Sequence, residues 1–178
     1  FAIALLWKRS GMSCYIVSMS TKSLRPVVAL DVDGVLNIDN VRDGLITVSL
    51  TLKKDTWPDT SFLRGLKDDE EVHEVIFDPA CGTWILQLQA AGVEVVWATT
   101  WEEAANMYWA PLLGIPELAL GASRVTNPPR FGDARHGDSV AWKRMALAEN
   151  FGDRPLVFVD DNLIWPMSDE RWSEERGS

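Results

Sequence analysis

The chain has 178 residues, 47% apolar and 24% charged, the composition of an ordinary globular protein of about one domain. Its two cysteines, Cys14 and Cys81, lack zinc-type spacing, which excludes a disulfide scaffold or zinc finger and suits a reducing, cytoplasmic setting. The net charge is −9, yet residues 1–30 hold Lys8, Arg9, Lys22 and Arg25 with no acid, so they carry +4 and the remainder −13. A body that acidic does not draw nucleic acid by bulk electrostatics and is better suited to holding cations.

Residues 1–26 read as an extension outside the core, because apolar, basic and Ser-rich pieces alternate there without a period. The apolar run Phe1–Trp7 is far short of the roughly 20 residues a membrane span requires. Basic residues follow that run, the reverse of a signal peptide. Met19 is a natural starting point for the protein.

Residues 27–178 read as the domain proper. Val27–Leu30 is an unbroken apolar run entering Asp31, the pattern of a buried parallel strand. Leu45–Leu52 alternates, with Ile46, Val48, Leu50 and Leu52 on one face, and predicts a half-buried strand. Val72–Phe77 predicts its partner across a polar loop, so residues 38–80 form a small β-hairpin insertion. Asp78-Pro79 opens a helix to about Ala91 with Trp84, Ile85 and Leu88 inward, ended by Gly92. Val93–Ala98 is a second buried strand. A helix is predicted over Glu102–Leu113 and a short strand at Ser123–Thr126. Asp138 and Ser139 cap a helix to about Asn150, and Leu156–Val159 is the last strand. Strands alternating with helices indicate an α/β, doubly wound parallel sheet. Most of the nine tryptophans fall at core-like spacing on helices.

In such sheets ligands bind at the carboxyl ends of the strands. Here one strand runs into Asp31-Val32-Asp33-Gly34, another into Thr99-Thr100, and a third into Asp160-Asp161, while Lys143 lies on the helix before the last. Each signal alone has a plain structural meaning: a turn, a cap, a solvated lysine. Together they bring four carboxylates, a hydroxyl and an ammonium to one crevice. Crowded carboxylates repel unless a cation joins them, and an all-oxygen set suits Mg²⁺. A hydroxyl and a lysine can hold phosphoryl oxygens, one carboxylate can act as nucleophile, and a second can act as general acid and base.

At these residues the sequence resembles the haloacid dehalogenase (HAD) superfamily of phosphatases, through Asp31-x-Asp33-Gly34, Thr99 (or Thr100), Lys143 and Asp160-Asp161. The stretches Leu30–Asn37 and Val96–Asn106 are similar to the HAD domain of Swiss Army knife RNA repair proteins and of bacterial stand-alone homologues. The resemblance implies a HAD-like Rossmannoid fold and Mg²⁺-dependent hydrolysis of phosphomonoesters through an aspartyl-phosphate. It implies Asp31 as nucleophile, Asp33 as acid/base and backbone metal ligand, and Thr99, Thr100 and Lys143 as phosphate binders. Asp31, Asp33, Asp160 and Asp161 make up the implied metal site. The superfamily core has a further strand after the last acidic motif, where Trp172–Arg176 reads as the helix leading into it, which leaves open that the sequence is a fragment.

Two other readings use the same residues. A receiver-type signalling module also carries an acidic cluster, a Thr and a Lys, but places its Lys last, at a strand end. A catalytically inactive HAD-like binding domain would not need every motif residue, and all are present. The substrate is expected to be a phosphorylated nucleic-acid end, a nucleotide or a small metabolite, with no membrane partner. The short insertion predicts an open crevice. Arg124, Arg130, Arg135 and Arg144 either grip a neighbouring phosphate there or form a solvated charged loop.

Overall fold

A computed structural model describes residues 14–17, 24–38, 42–53, 69–124, 126 and 139–161. Its main sheet has five strands: β1 (Cys14–Val17), β2 (Val27–Leu30), β5 (Glu94–Trp97), β6 (Ala119–Leu120) and β7 (Leu156–Val159). Their order is β1-β7-β2-β5-β6. β7, β2, β5 and β6 run parallel, and β1 lies antiparallel along the outer edge of β7. The second sheet is the antiparallel pair β3 (Ile46–Lys53) and β4 (Glu70–Phe77), in register from Ile46↔Phe77 to Lys53↔Glu70.

The period-2 pattern of the short strands sorts the core into two layers. Val28, Leu30, Val95 and Trp97 face one side, where Ile85 of α1 (Ala80–Ala90) and Leu52, Val75 and Phe77 of the hairpin pack on them. Val27, Ala29, Val96 and Ala98 face the other, against Val140, Trp142, Ala146, Leu147 and Phe151 of α3 (Ser139–Phe151). Each such aliphatic side chain removed from water contributes about 1.5–3 kcal/mol, and helices on both faces make the sheet doubly wound. Of the five described tryptophans, Trp97, Trp101, Trp109 and Trp142 are buried, as a core role for them requires, and Trp84 is half-buried. None of the described helices is long and apolar enough to cross a membrane.

Three local readings change. Cys14–Val17, inside the stretch read as an extension outside the core, pairs with Val159–Leu156 as an edge strand. Only four residues are involved, too few for a period to register. Arg25 is also tied in, its guanidinium donating to the carbonyls of Gly92 and Val93. The helix expected over Glu102–Leu113 is present over 103–113 but is not regular: a π-helical turn, Ala105–Trp109, leads into α2 (Ala110–Leu113). Pro111 has no N–H for the carbonyl four residues back, so the regular ladder is broken ahead of it and a π-helical turn precedes α2. The strand expected at Ser123–Thr126 lies instead at β6. The Glu102 carboxylate accepts the Arg124 amide at 2.6 Å and draws that segment out of the ladder.

Candidate active site

β2, β5 and β7 end level with one another, since Leu30 pairs with Trp97 on one side and Val159 on the other. Asp31 and Asp160 are therefore the first residues past the ladder on adjacent parallel strands, and the Asp31 amide donates to the Val159 carbonyl at 3.0 Å. After Asp31 the chain closes a tight loop in which the amides of Val35, Leu36 and Asn37 converge on the Val32 carbonyl at 3.2, 2.8 and 2.9 Å. Gly34 makes this loop possible. Its φ is +74°, and a Cβ there would stand 2.3 Å from Cγ of Asp161. The loop thus presses against the end of β7 and brings the two acidic motifs together.

Asp31, Asp160 and Asp161 each offer a carboxylate oxygen, all within 4.8 Å of one another. Asp31 and Asp160 are buried. Lys143, 1% exposed, reaches from α3 between them, donating to Oδ2 of Asp31 and, at 2.8 Å, to Oδ2 of Asp160. Burial pushes the Asp31 carboxyl up to about 7, against the opposing pull of the Lys143 ammonium and with the Asp160 charge adding to the rise. Burial and the Asp160 charge also raise Asp161. Three carboxylates gathered this closely fit a hard divalent cation with oxygen ligands.

Asp33 departs from this group. Its side chain turns to Asn37, whose Nδ2 donates to Oδ1 at 3.0 Å, and to Trp101, whose Nε1 donates to Oδ2 at 2.8 Å. Thr99 is fully buried at the end of β5, its Oγ1 accepting the Trp101 amide at 3.3 Å, while Thr100 is half-buried beside it. Arg124 lies over the Trp142 ring at 5.1 Å, whereas Arg130 and Arg135 fall outside the described residues. Cys81 is no rival nucleophile, because burial pushes its thiol up to about 11.

Residues 27–176 match the family described as the HAD domain in Swiss Army Knife RNA repair proteins. The chain belongs to this family. No curated protein and no solved structure matches it. The HAD identity agrees with the parallel sheet and with the order of the acidic, Thr and Lys motifs along it.

Sequence reasoning missed three residues that shape this candidate site. Trp101 reads as one more core aromatic, and nothing in the sequence says where its N–H goes. Glu102 is 3% exposed and takes a positive φ of 49°, a conformation its neighbours do not signal. Asn106 sits inside the π-helical turn, where Oδ1 accepts from Trp97 Nε1 at 2.7 Å and from the Leu118 amide at 2.9 Å. The Asn106 amide so ties β5 to the approach of β6. An inward polar residue on a predicted helix was the one available signal.

Proposed function

We propose that this HAD domain is a Mg²⁺-dependent phosphohydrolase that works through a phosphorylated Asp31. The observation that carries the proposal is the convergence of Asp31, Asp160 and Asp161 around the buried Lys143. Asp31, Asp160, Asp161 and the backbone of Asp33 would hold Mg²⁺, which supplies charge neutralisation so that an anionic carboxylate can meet an anionic phosphate. The protein's own groups do the rest. Asp31 attacks phosphorus, and Asp33 gives its proton to the departing oxygen. Asp33 then takes a proton from the water that hydrolyses the acyl-phosphate. Thr99, Thr100 and Lys143 hold phosphoryl oxygens.

The substrate class follows from the family's association with RNA repair and from the small insertion. Among the described residues the β3–β4 pair lends Leu52, Val75 and Phe77 to the main core and builds none of its own, which favours a flap and a phosphate carried on a large body. We infer a preference for phosphorylated nucleic-acid ends or nucleotides over small sugar phosphates. Phosphate release from 3′- and 5′-phosphorylated oligonucleotides, nucleotides and sugar phosphates, with Mg²⁺ and with EDTA, tests both statements. Release that survives EDTA or Asp31→Asn overturns the mechanism. A clear advantage in kcat/KM for sugar phosphates overturns the substrate class alone.

A further inference from the structure

The held state of Asp33 carries an inference of its own. One donor occupies each carboxylate oxygen, Asn37 at Oδ1 and Trp101 at Oδ2. Each oxygen has two lone-pair sites, so one remains at each for a transferable proton. Trp101 is not free to drift. It is 2% exposed, its ring meets Trp109 edge-on at 5.9 Å and 86°, and Trp109 meets Phe77 of β4 edge-on at 6.0 Å and 78°. An indole N–H donates only, so it cannot exchange protons with Asp33. What it does fix is the rotation of the carboxylate about its stem, and through that the place from which a proton leaves.

We propose that Trp101 is a positioning residue for Asp33, setting its aim at the leaving-group oxygen; this rests on the reading of Asp33 as acid and base. In the first half-reaction the Asp31–phosphorus bond forms, the phosphorus–oxygen bond to the leaving group breaks, and the Asp33 proton passes to that oxygen. In the second, water oxygen bonds to phosphorus, the Asp31–phosphorus bond breaks, and Asp33 recovers a proton from the water. A misaimed Asp33 slows the first half most where the leaving oxygen is basic and cannot depart without a proton. A general structural defect slows every substrate alike.

Trp101→Phe keeps an aromatic ring and removes the N–H. The comparison is kcat/KM for an alkyl phosphate against 4-nitrophenyl phosphate, whose leaving group departs unprotonated. Expected is a loss of about tenfold or more with the alkyl ester, part of the roughly 10²–10⁴ that general acid catalysis supplies, and a clearly smaller loss with the aryl ester. Added to Asp33→Asn, the same substitution should change the alkyl/aryl ratio no further. Equal losses on both esters, no loss on either, or full additivity with Asp33→Asn overturns the proposal alone. A parent protein that releases phosphate from neither ester and from none of the phosphorylated oligonucleotides and nucleotides overturns the phosphatase reading and this proposal with it. Should Trp101→Phe fold poorly, 3-benzothienylalanine at position 101 exchanges the N–H for sulfur at nearly the same shape and gives the same comparison.

Discussion

Lys143→Met tests the electrostatics of the site most directly. The side chain is nearly isosteric, so packing against α3's neighbours is kept while the only described ammonium between Asp31 and Asp160 is lost. Both carboxylates are buried, and Asp160 is fully so. Removing one partner from a buried, hydrogen-bonded ion pair costs about 3–5 kcal/mol, because the remaining charge is left uncompensated. For a chain of this length that corresponds to a fall in Tm of about 6–20 °C. Two conditions should shrink the loss. Mg²⁺ supplies another cation to the same oxygens, and at pH 5 the Asp31 carboxyl, already raised to about 7 by burial, takes up a proton and ceases to need one. Thermal unfolding in EDTA at pH 7.5, in EDTA at pH 5 and in millimolar Mg²⁺ measures all three. A variant within 1 kcal/mol of the parent in EDTA at pH 7.5, or one equally destabilised in all three conditions, refutes the reasoning.

Three further outcomes are expected. Mg²⁺ at about a hundredfold above its Kd should stabilise the fold by about 2.7 kcal/mol, and Asp160→Ala should remove most of the rise in Tm; a flat melting curve in Mg²⁺ argues against the metal site. In the metal-free protein the raised Asp31 means that the folded state holds this proton more tightly than the unfolded one, so stability is greatest below about pH 4 for this group and declines as pH rises to about 7; a Tm that climbs through that window for the parent but not for Asp31→Asn contradicts the assigned cause. Gly34→Ala should weaken Mg²⁺ binding more than Gly44→Ala or Gly92→Ala, which meet open space, since its Cβ would collide with the Asp161 side chain 2.3 Å away; unchanged Mg²⁺ titration by thermal shift would show that Asp161 is not held by that contact.

What could be read from residues alone were features written in local pattern. Val27–Leu30 and Leu156–Val159 are too apolar to be anything but buried strands, and each delivers its acid one residue later. The alternation of β3 was equally plain, and the apolar run Val72–Phe77 across a polar loop supplied its hairpin partner. Lys143 is more instructive. Its sequence surroundings give no sign of burial, and only its order between Thr99 and Asp160 suggested a phosphate-binding role; the structure places it between two buried carboxylates. What remained hidden depends on where distant atoms meet. The Trp101–Asp33 bond spans 68 positions and the Tyr108 hydroxyl that accepts the Lys53 amide spans 55. No periodicity encodes such a pair. Glu102's left-handed backbone and the π-helical turn are tertiary compromises, set by Arg124, Pro111 and the Asn106 amide rather than by propensity.

The shortness of the central strands has a last consequence, for how the domain tolerates insertion and deletion. β2, β5 and β7 have four residues each, so the height of Asp31 against Asp160 is fixed by a handful of ladder bonds. One residue gained or lost within any of them shifts its end by about 3.3 Å and turns every following side chain to the opposite face. Substitution inside these strands should therefore be far milder than a change in their length: the apolar runs act as measuring rods, and their count of residues matters more than which aliphatic ones they contain.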